Sequence, residues 1–167
     1  MQRTLMDRTW NEWAPLPLRL ILGLGFVIHG WEKIADGTKG FQGMLQMTGI
    51  PGGAAMAWFV ALLEFLGGLA LILGAFVLIV SVLLIINMLV AMVTVHLPHG
   101  FSFLNITGMG PEGPTFGMPG YEVNLLYIAG LLALVLGGAG LYSVDAKRRG
   151  GSSSPAYRPE TRDTATP

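Results

Sequence analysis

The sequence contains no cysteine. That excludes thiol catalysis, iron–sulfur ligation, disulfide cross-links and cysteine-type zinc sites on this chain. Charge is nearly as scarce: 12% of the 167 residues are charged, against roughly 25% in a soluble domain. Ten basic and ten acidic residues cancel, so there is no basic field to hold nucleic acid. Histidine occurs three times. Walker A, dinucleotide and His-Glu-x-x-His patterns are missing, so no metal site is expected and Gly23-Leu24-Gly25 reads as helix packing.

Apolar residues fill the space that charge leaves. They make up 52% of the chain, and mean hydropathy is +0.59. The charges gather before Arg19, between Glu32 and Lys39, and after Asp145. A spanning helix needs about 20 apolar residues, and the stretches between these clusters predict an all-α, polytopic membrane protein, a bundle of four transmembrane helices. The first covers about 16–34 and opens on Pro15 and Pro17, where a helix start tolerates proline. The block from Ala54 to Leu97 is about twice one crossing and must fold back near Gly74, giving helices at about 54–73 and 75–97. The fourth covers about 123–141. His29-Gly30-Trp31-Glu32-Lys33 follows the first apolar stretch where a cleavage site would need small residues, so that helix is expected to remain in the mature protein.

Basic residues set the orientation. Arg3, Arg8 and Arg19 lie before or within the first helix, and Lys147, Arg148 and Arg149 follow the fourth. The loop after the third helix has no Lys or Arg, whereas the one after the first has Lys33 and Lys39. Both termini are therefore expected in the cytoplasm. This divides the chain into a cytoplasmic segment 1–14, a membrane domain 15–145 and a disordered cytoplasmic tail 146–167, rich in Ser, Pro and Thr. The 98–121 loop carries Phe101, Phe103, Leu104, Phe116 and Tyr121, and is expected to lie back over the helix ends.

Polar groups inside hydrocarbon are expensive and usually face a bundle interior. Arg19, Glu64 and Asn87 are such groups, and helical spacing gives each a stripe of its own. Arg19, Phe26, Gly30 and Lys33 share one, Ala57, Ala61, Glu64 and Gly68 a second, and Asn87, Ala91 and Thr94 a third. The stripes are expected to face one another, with Arg19 reaching toward Glu64. This polar seam either fixes helix register or lines a site for a quinone, a proton or a small polar ligand. A second set, His29, Lys33, His96, His99 and Glu122, gathers at the outer mouth. Histidine is tolerated at interfaces, but it also suits a headgroup site that exchanges protons. Haem or metal ligation by these residues is disfavoured without tight ligand spacing.

These residues fall in an order that resembles the DoxX family of small four-helix membrane proteins. The carrying pieces are Leu18-Arg19-Leu20, His29-Gly30-x-x-Lys33, Phe41 and Gly49-Ile50-Pro51. Glu64 with Gly67 to Gly74 follows, then His96 to Phe101, and last Gly120-Tyr121-Glu122-x-Asn124-Leu125-Leu126. The loop from Ser102 to Pro119 departs from the family pattern, being longer and richer in Gly and Pro. The resemblance implies a redox role in a bacterial inner membrane. Some members resemble the membrane part of thiosulfate:quinone oxidoreductases, and others accompany complexes that handle oxidative or thiol stress. It implies a lipid bilayer around the chain, and a redox partner subunit or a second copy beside it. Two other roles stay open, a non-enzymatic anchor or assembly subunit and a small-solute or lipid-handling protein.

Overall fold

The computed structural model describes residues 13–150. It is mostly helical. Helix α1 (Pro15–Ala35) is followed by the short α2 (Lys39–Met47), then α3 (Gly53–Leu73) and α4 (Val77–Ala91). Helix α4 runs on through a π turn (Met92–His96) and a 3-10 turn (Leu97–His99). Strands β1 (Ile106–Gly110) and β2 (Gly113–Phe116) form an antiparallel hairpin, and α5 (Glu122–Gly137) and α6 (Val144–Gly150) close the described chain. Two helical stretches, Gly53–Leu73 and Val77–His99, are long and apolar enough to cross a membrane. Ile79 and Ile86 on α4, Val93 in the π turn, and Leu66, Leu69 and Leu73 on α3 are exposed, an apolar surface that water would not tolerate at this extent.

The long helices pack in the cyclic order α1–α3–α4–α5. Small residues set the α1–α3 contact. A Cβ on Gly23 would lie 2.7 Å from the Gly68 carbonyl oxygen, and one on Gly68 would lie 2.6 Å from that of Gly23. A Cβ on Gly30 would meet the Phe65 backbone nitrogen at 2.4 Å. Only glycine permits this backbone-to-backbone approach, the usual device for helix association in lipid. The buried face of α3 is Ala57, Ala61, Glu64, Gly67, Gly68 and Leu71, and Phe26 and Gly30 are buried on α1.

The start of α1, the α3–α4 turn and the end of α5 meet at one end, here called basal. Trp13 and Tyr142 meet there with ring centroids 4.2 Å apart and planes tilted by 39°. Gly74 (φ +69°) and Phe76 (φ +50°) make the α3–α4 turn in left-handed conformations. Asp145 stabilises that turn from a distance, because its two carboxylate oxygens accept the Phe76 and Val77 backbone N–H groups, each at 2.9 Å. An N-cap for α4 is thereby supplied by α6. The Arg148 guanidinium lies 4.7 Å from the centroid of the Phe76 ring.

Several expectations are corrected. The fold is not purely α, since the 98–121 loop contains the hairpin. The base of that loop docks on the helix ends, as Tyr121 N–H donates to the Gly100 carbonyl at 3.0 Å, but β1 is exposed along its whole length. The fourth helix ends at Gly137 rather than near residue 141, because Gly138 (φ +77°) and Gly140 (φ +74°) turn the chain out of the helix. The tail does not begin at residue 146, since Val144–Gly150 is helical. Residues 151–167 and 1–12 lie outside the described residues. Helix α2 has an apolar face, Phe41, Met44 and Leu45, at the i, i+3, i+4 spacing of a helix lying on a surface.

Candidate functional site

Arg19 and Glu64 occupy separate levels of the bundle. Because α1 and α3 run antiparallel, Arg19 is level with the end of α3, about 10 Å along the axis from Glu64 at 1.5 Å per residue. Arg19 is 1% exposed, and its guanidinium is used by nearer carbonyls. Nε donates to Leu71 O at 3.1 Å, and Nη2 donates to Ile72 O at 3.3 Å and Tyr142 O at 2.8 Å. Nη1 donates to Ala139 O. A cation among the C-terminal carbonyls of a helix is favoured by the helix dipole. The expected reach of Arg19 toward Glu64 is therefore corrected: Arg19 clasps the basal end.

Lys33 takes the carboxylate instead. Its ammonium donates to Glu64 Oε2, and Asn87 Nδ2 donates to Glu64 Oε1 at 2.9 Å. Glu64 is 3% exposed, and both of its oxygens are thus used. The Lys33 ammonium also sits 5.0 Å from the centroid of the Phe41 ring on α2, close enough for a cation–π contact. This trio joins α1, α3 and α4, with α2 above it.

The trio forms the polar part of a cavity of about 620 Å³, within the size range of small-molecule sites. Phe41, Met44 and Leu45 of α2 line one side. Met56, Phe59 and Leu63 of α3 contribute, as do Leu83, Ile86 and Val90 of α4. His29, Thr94, His96, Asn124 and Tyr127 complete the polar lining. His96 is held by the π turn, and its Nδ1 lies 2.9 Å from Pro119 O. A carbonyl can only accept, so Nδ1 carries a proton there. His29 lies 3.8 Å from Glu32 and 6.5 Å, centroid to centroid, from the Tyr127 ring.

The outer-mouth set is only partly brought together. His29, Lys33 and His96 line the cavity, whereas His99 and Glu122 do not. Glu122 accepts the Phe103 N–H at 3.0 Å and so anchors the loop, and His99 is exposed in the 3-10 turn. Among the described residues no group of three or more His, Cys, Asp or Glu side chains is placed to hold a metal. Sequence reasoning missed Asn124 and Tyr127 as lining residues. The signal was present: they are polar exceptions in the apolar run of α5, as Asn87 is in α4.

The family model described as DoxX matches residues 14–97, half of the chain. The chain belongs to the DoxX family. The matched region holds α1 to α4, including Lys33, Glu64 and Asn87. A curated relative from Bacillus subtilis (strain 168), named Putative oxidoreductase CatD, is 34% identical over 91 residues. The match covers 54% of this chain and 65% of that protein, so the DoxX chain spans less than two thirds of its relative's length. No solved structure matches it. Family and apolar helices together make this a membrane-associated protein.

Proposed function

We propose that this DoxX protein is the membrane subunit of a quinone-linked redox system in a bacterial cytoplasmic membrane. One observation carries the reading: a largely apolar cavity among the helices holds a buried Glu64 bonded to the half-buried Lys33 and Asn87. Such a cavity suits a ligand that is mostly hydrocarbon but carries a polar ring oxygen. The residues fit a quinone, with Lys33 and Asn87 as neighbouring hydrogen-bond groups and Met44, Phe59 and Ile86 as apolar walls. A bound quinone supplies a two-electron, two-proton acceptor. Lys33 and Glu64 hold and relay protons beside it, and the electrons come from a reduced substrate or cofactor on a partner subunit. The name of the Bacillus subtilis relative, Putative oxidoreductase CatD, agrees with that class.

The same reading takes residues 15–145 as four membrane crossings with both termini cytoplasmic. The contact of Trp13 with Tyr142 supports an even number of crossings. Arg19, Lys147, Arg148 and Arg149 lie at the basal end, which favours that end as cytoplasmic. Helix α5 is about 24 Å long at 1.5 Å per residue, so residues 138–143 complete its crossing.

The test is to purify the protein in mild detergent with its bound partners and measure quinone content and quinone-dependent turnover. Glu64→Gln should lower turnover at least tenfold while the partner complex stays intact. Complexes holding no quinone and showing no quinone-dependent turnover refute the reading. A second reading, a non-enzymatic anchor, is favoured by one fact: both Glu64 oxygens have protein partners. Under that reading Glu64→Gln changes only the melting temperature.

A further inference from the structure

The hydrogen-bond capacity of the cavity is unevenly used, and Asn124 is its outlier. This residue sits in the first turn of α5 and is 5% exposed, yet it lines the cavity. Its Nδ2 has one partner, the Met88 thioether sulfur at 3.8 Å, a weak acceptor. Its Oδ1 accepts no hydrogen bond among the described residues. A carboxamide with so weak a partner has hydrogen-bonding capacity to offer a ligand, and it borders the open space of the cavity, since Ser81 Oγ is the fully buried side-chain atom left unpartnered among the described residues.

We propose that the Asn124 carboxamide reads the ring oxygen of a lipid-soluble quinone or hydroquinone, from the α5 side of the cavity. This rests on the quinone reading above and adds the specificity residue. A carboxamide suits both forms of such a ligand. Its N–H donates to a ring carbonyl, and its oxygen accepts from a ring hydroxyl. No charge needs to move for it to do either. Tyr127, three residues on, places its ring on the same face of α5, edge-on to Phe26 with centroids 5.1 Å apart. It gives the ring a flat neighbour. Access comes from the bilayer: Phe59 on α3 and Ile86 on α4 line the cavity, yet are 59% and 53% exposed. The cavity therefore opens sideways between those two helices, where a long apolar tail would extend into lipid.

The experiment places the full chain in phospholipid nanodiscs and titrates two probes. One is a naphthoquinone with a short isoprenoid tail, and the other is the naphthalene hydrocarbon with the same tail. Binding is read by quenching of tryptophan fluorescence and by equilibrium partition. Asn124→Leu should weaken naphthoquinone binding roughly two- to tenfold, the range of one lost hydrogen bond, and leave hydrocarbon binding unchanged. Met88→Leu removes the carboxamide's partner and keeps the wall apolar, so naphthoquinone binding should hold or tighten. Naphthoquinone binding that is unaltered in Asn124→Leu overturns the assignment. So does Met88→Leu losing as much affinity as Asn124→Leu, which would mean that the pair only packs. If the wild-type chain binds both probes equally well, Asn124 fails alone. If it binds neither, the quinone reading fails with it.

Discussion

Replacing Arg19 by Met should loosen the basal end of the bundle without touching the Glu64 site. The guanidinium donates to four carbonyls, two at the end of α3 and two in the segment between α5 and α6. Hydrogen bonds from charged donors contribute about 1.5–3 kcal/mol each, but the four share one side chain and are not additive. Leu71 O also keeps the Gly74 N–H, at 3.0 Å, and methionine recovers part of the packing. The expected loss is about 3 kcal/mol, within the 3–5 kcal/mol typical of breaking a buried charged network. For a chain of this length that corresponds to a fall in melting temperature of about 6–12 °C. Arg19→Lys should recover less than half of it, since one ammonium cannot span carbonyls on two segments as the planar fork does.

Thermal unfolding in detergent reads these changes, and a double-mutant cycle shows whom Arg19 serves. Arg19→Met combined with Glu64→Gln should be additive within about 0.5 kcal/mol, as for sites with no shared partner. Lys33→Met combined with Glu64→Gln should couple by more than about 1 kcal/mol, because Lys33→Met alone leaves the buried Glu64 without its cation. Strong coupling of Arg19 to Glu64 would refute the separation of the two sites. A melting temperature for Arg19→Met within 2 °C of wild type, on the roughly 2–4 °C per kcal/mol scale, would refute the clasp.

Other perturbations follow from the same geometry. Gly30→Val places a Cβ 2.4 Å from the Phe65 nitrogen, where neither backbone can yield; separating α1 from α3 should cost about 1–3 kcal/mol, seen as a lower melting temperature. Asp145→Ala removes the cap from Phe76 and Val77, and should cost about 1 kcal/mol and speed amide exchange at those two residues. His96→Phe removes the bond to Pro119 O; it should change global stability by less than about 1.5 kcal/mol and hasten proteolysis between Phe101 and Pro119.

The first and second long helices were legible almost to the residue because the chain punctuates them chemically. Pro15 and Pro17 open α1, and glycines bracket α3. The helical stripes on α1 and α3 likewise identified the buried faces, since facing follows from a period of 3.6. Axial level does not. Whether Arg19 or Lys33 meets Glu64 depends on how far α1 slides along α3, which the Gly23–Gly68 approach sets and no local pattern encodes. The end of α5 at Gly137 required a left-handed Gly138, and glycine in an apolar run is equally consistent with helix packing. Helix α2 was missed because nine residues are too few for an apolar face of Phe41, Met44 and Leu45 to stand out within a loop that also holds two glycines of its own. The hairpin turns on Gly110-Pro111-Glu112-Gly113, hidden in a loop where glycine and proline recur throughout.

The division of polar groups between the two ends constrains where any ligand can bind. Arg19 has five N–H groups, and four of its hydrogen bonds are already made to backbone carbonyls, so the basal end offers a ligand almost nothing. Around the cavity the balance is reversed. Lys33 has three ammonium protons and donates one to Glu64. Asn87 uses its amide nitrogen on Glu64, while its carbonyl oxygen accepts no hydrogen bond among the described residues. His96 commits Nδ1 to Pro119 and keeps Nε2. Asn124 has only a thioether. A bundle that used polar residues solely as glue would leave few such groups unspent, because each costs free energy in a dry site. Arg19 meets that standard and the cavity groups do not, which is the physical reason to seek the ligand beside Glu64 and Asn124 rather than along the whole expected polar seam.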